Sequence, residues 1–235
     1  HKHYNKVYNV LKSLGVPTDI VEEDVDFSEW PVIVAPAYQL LDSELVARWT
    51  EYVENGGHLV LNCRAGHKNR NAHLWEARLA QPVYGLIGAK ELYFDHLPQD
   101  VWASVEMDGE EYKWHNWGDI IEPDGTSEVL AVHHGQFYAG KAAVLHKSIG
   151  KGYVTYIGVD SDDGELEKAV MRKVYAAKGE VSDFPPGIVL EWRDGFWVGL
   201  NYTSEQYVFP VPRKAKVLVG KPATPPAGVV VWKDK

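Results

Sequence analysis

The sequence predicts an α/β protein: a parallel sheet with helices on both faces, extended by hairpins and followed by a small antiparallel β domain. Three observations carry this. The first third alternates helix-period and strand-period segments separated by glycines and prolines. Residues 137–159, FYAGKAAVLHKSIGKGYVTYIGV, hold two strand-like runs around Ile149-Gly150-Lys151-Gly152, where paired glycines supply the positive φ of a hairpin turn. The stretch 182–187, SDFPPG, suits neither helix nor ladder, and several short strand patterns follow it.

Taken in order, Tyr4, Val7, Tyr8 and Leu11 recur at helical spacing, and Leu14-Gly15 followed by Pro17 stops that helix. Residues 18–21 are a short strand candidate, and 31–35, PVIVA, is the continuous apolar run of a buried parallel strand. Asp42 is placed to cap a helix from Ser43 to about Glu54, with Leu45, Val46, Trp49 and Val53 on one face. Asn55-Gly56-Gly57 ends it, and residues 58–62 form the next buried strand. Strand, helix, strand in this order predicts a right-handed crossover.

From Gly66 to about Leu97 the pattern is weaker, with a loop over 67–73 and a short helix near Leu86. Residues 101–107 and 110–114 alternate about Asp108-Gly109, a hairpin signal. Another strand is expected at 128–132, then the hairpin at 141–159. Asp162, Asp163 and Gly164 lead into a helix over 165–178, acidic at its start and basic at its end, which Gly179 terminates. Past the linker, 188–192, 196–201, 206–210, 216–219 and 229–232 are short strand candidates. The division is therefore 1–181 for the α/β domain, 182–187 for the linker and 188–235 for the small β domain.

The 235 residues carry a net charge of −9 and no dense Lys/Arg cluster, which argues against a nucleic-acid partner. No apolar run approaches membrane-spanning length, so no membrane partner is expected. The opening HKHYNKVYNV has no signal-peptide core, and a start at His1 rather than Met reads as an excised piece, which leaves the compartment unread. Nine Trp and thirteen Tyr against six Phe supply amphipathic rings suited to sugar sites, interfaces or β-rich cores.

With the parts laid out, a resemblance covers nearly the whole chain. Residues 8–21, YNVLKSLGVPTDIV, resemble the first helix, Leu-Gly-Ile stop and Asp-Ile-Val strand of the middle domain of family 42 glycoside hydrolases, the β-galactosidases. Residues 32–37 and 52–61 resemble its next two strands and the end of the helix between them, and the hairpin at 138–159 resembles its closing hairpin. Arg64-Ala65-Gly66 with Lys68 looks like the family's Arg-(Ser/Thr)-Gly-x-Lys-Asp segment, with Ala65 in place of the hydroxyl and Asn69 in place of the acid. The chain from Ile188 is similar to the short C-terminal β domain.

The resemblance implies a flavodoxin-like fold of the class I glutamine amidotransferase type, a trimerisation role and a part in walling the active-site funnel. It implies a parent enzyme that hydrolyses terminal β-D-galactosides with retention. Both catalytic glutamates would lie in an (α/β)8 barrel preceding His1, so this chain alone would hold no catalytic residue and no hydrolase activity. Self-association, as a trimer in the parent, and a galactoside reached through the parent barrel are the implied partners.

Individual side chains were weighed for chemistry. Cys63, the sole cysteine, follows a buried strand where amidotransferase-like folds place a nucleophile, but its neighbours Leu61-Asn62-Cys63-Arg64-Ala65 lack the elbow glycines, and His146 has no acid two residues on. A buried structural thiol fits better. His133-His134 point to opposite faces of a strand, and no acid or second histidine stands at ligand spacing, so no metal or cofactor is expected. The acidic run at 22–26 reads as a solvated loop and Asp162 or Asp163 as a helix cap. Substrate or interface candidates are Arg64, His67, Trp75, Trp114 and Trp117, each ring set against the alternative of a core position. Two other function classes stay open: a stand-alone amidotransferase-like enzyme using Cys63, and a carbohydrate-binding module built on the tryptophans.

Overall fold

A computed structural model of the chain describes residues 2–76, 80–161, 163–179 and 181–233. Two compact units divide it: one spans Val21–Glu167, and the other joins Tyr4–Ile20 to the chain from Lys168 onward.

Helix α1 (Lys2–Ser13) forms as expected but on a shifted face: Val7, Val10 and Leu11 are buried, with Leu14 just beyond, while Tyr4 and Tyr8 of the expected stripe are exposed, and Gly15 leaves the helix at φ 68°. Residues 18–21 are no strand: they form no ladder among the described residues, and Ile20 is 89% exposed. Strand β1 (Val32–Ala35) leads through helix α2 (Ser43–Glu54) to β2 (His58–Asn62), whose five residues are all buried. Asp42 caps α2 by accepting from the Leu45 N–H at 2.8 Å. Tyr52 joins the buried face of α2 beside Leu45, Trp49 and Val53, and its hydroxyl donates to the Trp30 carbonyl at 2.9 Å.

Helix α3 (Tyr84–Ile87) precedes β3 (Ala89–Asp95), then come β4 (Ala103–Met107), β5 (Glu110–Pro123) and β6 (Glu128–His134). The β4–β5 turn places Asp108 at φ 56° and Gly109 at φ 82°, the paired positive values of a type I′ hairpin. The closing hairpin is β7 (Ala142–Ile149) with β8 (Gly152–Ile157), followed by β9 (Val159–Ser161) and helix α4 (Glu165–Ala176). Of its turn glycines only Gly150 takes positive φ, at 58°. Gly152 serves a different need: a Cβ there would run into the carbonyl oxygens of Gly57 and Val53. Asp162 lies outside the described residues, and Asp163 Oδ1 accepts from the Glu165 N–H at 3.0 Å.

Among the described residues the first unit is built on a nine-stranded sheet ordered β1-β2-β8-β7-β6-β4-β5-β3, with β9 on β5. Parallel pairing is confined to β1, β2 and β8; every other ladder is antiparallel. Strand β5 also meets β7, at Ile121 and Ala142, so the antiparallel strands curl back on themselves into a barrel-like sheet. The architecture is thus mixed α/β, with the strand, helix, strand unit at one end of a largely antiparallel sheet. Leu59, Leu61, Leu45, Trp49, Val83 and Ile121 are among the side chains of its core.

In the second unit β10 (Ile188–Arg193), β11 (Phe196–Asn201), β13 (Lys216–Val219) and β15 (Val229–Lys233) form an antiparallel sheet in the order β10-β11-β15-β13. Two-residue strands β12 (Tyr207–Val208) and β14 (Ala223–Thr224) pair separately. The end of α1 is tied into this unit: the Phe184 N–H donates to the Ser13 carbonyl at 2.8 Å, and buried Lys12 pairs with Glu191.

Candidate functional site

The chain leaving β2 makes the turn on which the site is built. Cys63 is buried, and its N–H donates to the Ile157 carbonyl at 2.7 Å, continuing the ladder to β8 by one residue. Arg64 then swings into the left-handed region at φ 68°, uncommon for a residue with a long side chain. Its N–H donates to Asp119 Oδ2 at 2.9 Å, which holds the turn. The chain continues through Ala65 and Gly66 to His67, which is buried.

Strand β5 supplies Asp119, fully buried, with three donors on its carboxylate. Besides the Arg64 N–H, the Tyr156 hydroxyl donates to Oδ2 and the Trp117 Nε1–H to Oδ1 at 2.6 Å. Burial and the adjacent carboxylate push the Tyr156 phenol well above its ordinary range, so it acts as a proton-bearing donor. Strand β3 supplies Glu91, 2% exposed, whose Oε2 lies 2.9 Å from His67 Nε2. That contact is an ion-pair approach without hydrogen-bond alignment, and neither Glu91 oxygen accepts a hydrogen bond among the described residues. His67 Nε2 is also 3.8 Å from Asp119 Oδ1. Burial raises the Glu91 pKa, His67 opposes the rise and Asp119 adds to it.

Over this buried cluster lies an aromatic and cationic layer. Trp117 stacks on Phe94 at 4.1 Å between ring centroids, the Arg64 guanidinium sits 4.4 Å from the Trp117 centroid, and the His67 ring meets Trp117 edge-on at 5.8 Å. Arg64 and Trp117 are half-buried and Phe94 is exposed.

Three of the five sequence-predicted residues, Arg64, His67 and Trp117, therefore come together. Trp114 does not: it has no exposed surface and packs edge-on against buried His133, a core position. Strand β5 runs through both Trp114 and Trp117, with Asn116 at φ 70° where its pairing with β9 shifts register. Trp75 is half-buried in the loop after β2. Cys63 is 2% exposed and stands one residue before the left-handed turn at Arg64. His133 and His134 do face opposite ways, buried and exposed, and burial holds His133 down to about 4.

Sequence reasoning missed Glu91, Asp119, Phe94 and Tyr156. It expected no acid at ligand spacing from a histidine, which is true along the chain and untrue in space: His67, Glu91 and Asp119 come from a loop and two strands, and their ligand atoms all lie within 4.8 Å of one another. In β3, AKELYFD, a buried acid and exposed rings reverse the usual pattern across a bulge between Glu91 and Tyr93, which hides the strand and its acid from a reading of the sequence. The acidic run at 22–26 is tied down by protein groups, Glu23 by Arg70 and Tyr38, and Asp26 by the Ser28 N–H at 3.0 Å.

The first unit is thus mixed α/β, with a parallel end, a curled antiparallel sheet and a buried acidic cluster. Residues 1–180 match the profile of the β-galactosidase trimerisation domain, and the chain belongs to that family. A β-galactosidase of Haloferax lucentense is 30% identical over 224 residues, covering 93% of this chain and 33% of the relative. One of Halorubrum lacusprofundi is 28% identical over 223 residues, covering 86% of this chain and 31% of the relative. The solved structure of the Halorubrum lacusprofundi β-galactosidase superposes with a TM-score of 0.88 at 24% identity, over 99% of this chain and 36% of that one. That of the psychrophilic Marinomonas ef1 gives 0.86 at 24% identity, over 99% and 33%. The chain thus spans about a third of the length of these relatives.

Proposed function

We propose that this chain is the self-associating, non-catalytic part of a β-galactosidase-type glycoside hydrolase, whose hydrolytic glutamates lie in a barrel outside it. The observation that carries this is the match of residues 1–180 to a trimerisation domain, within relatives about three times as long. The end of that match near 180 supports the seam at 182–187 and the modules 1–181 and 188–235. Kinship with flavodoxin-like, amidotransferase-type domains is supported by the parallel β1, β2 and β8 and by the left-handed turn at Arg64 after a buried strand.

The first unit carries an apolar surface suited to a neighbouring copy. Phe137 is 84% exposed and stacks on Tyr93, which is 39% exposed, at 6.1 Å. Such rings enrich interface centres and cost solubility when left in water. Sedimentation of the chain tests the proposal: a trimer with no turnover of a chromogenic β-galactoside is expected, and a monomer at all concentrations or measurable hydrolysis would overturn it. The Arg64–Trp117–Phe94 layer favours a second role, a stacking contact to a galactoside held in the parent barrel. Quenching of tryptophan fluorescence by galactose, lost in Trp117→Ala, is the result expected of that role.

A further inference from the structure

The feature that the scaffold role leaves unused is the cluster His67, Glu91 and Asp119. All three side chains are more than nine-tenths buried, and they converge from the loop after β2 and from β3 and β5. Two buried carboxylates face one imidazole here, and buried charges are kept only where they are paired or hold a metal. Asp119 has three protein donors, but His67 Nε2 and both Glu91 oxygens have no hydrogen-bond partner among the described residues. His67 Nε2 and Glu91 Oε2 thus meet each other at 2.9 Å without hydrogen-bond alignment, and Glu91 Oε1 is left without a hydrogen-bond donor among the described residues.

The geometry points to a structural divalent cation site, with His67 Nε2, a Glu91 oxygen and Asp119 Oδ1 as ligands, fitted to a zinc-class ion. A doubly charged cation neutralises the two carboxylates, and one imidazole nitrogen with two carboxylates selects zinc over calcium or magnesium, which take all-oxygen sets. Ligands each about 2.0–2.2 Å from one ion stand roughly 3.0–3.6 Å apart. The separations of 2.9 Å between His67 and Glu91 and 3.8 Å between His67 and Asp119 bracket that span. The surroundings match what a ligating carboxylate needs: the Trp117 indole, Tyr156 hydroxyl and Arg64 amide fix the Asp119 carboxylate in place. The three ligands come from β3, β5 and the turn after β2, so the ion would tie the curled sheet to its parallel end.

The test uses the full chain, stripped with a chelator and titrated with Zn2+ by calorimetry. One ion per chain is expected. His67→Gln and Glu91→Gln should each abolish that uptake, while His134→Gln, at an exposed histidine, should leave it intact. Zinc-edge X-ray absorption of the unmodified chain, which needs no variant to fold, should show one imidazole with oxygen neighbours. No stoichiometric uptake, uptake surviving Glu91→Gln, or a first shell with thiolate or several imidazoles would overturn the site. Absent uptake together with unchanged or raised stability of Glu91→Gln would mean that a proton on Glu91 does the neutralising.

Discussion

The indole N–H of Trp117 ends on Asp119 Oδ1 at 2.6 Å, two residues further along the same strand. One ring thus does two things: its face stacks on Phe94 under the Arg64 guanidinium, and its edge satisfies a buried carboxylate. Trp117→Phe keeps most of the face and removes the edge. A hydrogen bond to a charged group contributes about 1.5–3 kcal/mol, so this variant should lose roughly that much stability to denaturant with an unchanged m-value.

Gly152 and Gly109 predict opposite outcomes from one substitution. Gly109 faces open space at φ 82°, so Gly109→Ala should cost only the left-handed penalty of about 1–2 kcal/mol. Gly152 sits against the carbonyls of Gly57 and Val53, groups fixed by α2 and β2, and Gly152→Ala should cost about 3 kcal/mol or more as the β8 register is forced away. Paired thermal or denaturant unfolding curves compare them directly.

Tyr52 makes stability fall at high pH. Burial pushes its phenol up to about 12 from the ordinary 10, so between those values the folded chain keeps a proton that the unfolded chain has lost. Its stabilisation is complete below pH 10 and is lost as pH rises through 12, for a total of about 3 kcal/mol at most. Tyr52→Phe should cost about 1 kcal/mol at neutral pH, for the bond to Trp30, and should flatten this part of the stability curve measured by urea unfolding.

Phe137→Asp should weaken self-association by roughly tenfold or more while leaving the fold intact, since the ring is almost wholly in solvent. Sedimentation velocity across a concentration series, with circular dichroism as the control, reads both effects.

Much of the fold was legible because local signals and tertiary context agreed. The Asp42 cap and the Asp108-Gly109 turn needed only nearest neighbours, and each forms as expected; α1 forms too, but buries Val10 and Leu14 where Tyr4 and Tyr8 were expected. Residues 18–21 misled because apolar composition stood in for a ladder that the chain never makes. Strand β3 was hidden for the reverse reason: Glu91 is buried where a hydrophobe is expected, and Tyr93 and Phe94 are exposed where polar residues are expected. At the site, Arg64, His67 and Trp117 were found through chemical type and family pattern. Glu91 and Asp119 were not, because their meaning depends on strands that meet only when the sheet curls.

That curl has a consequence for how copies can recognise one another. Because β5 returns to β7, strands β4 to β7 each have neighbours on both sides, and among the described residues the sheet's edges lie at β1, β3 and β9. No row of vacant backbone donors is offered along the closed part, so another chain cannot zip onto it by strand addition, the usual route to unselective aggregation. Assembly there must be written in side chains on the sheet's faces and loops, where a single substitution can change the partner without disturbing the backbone.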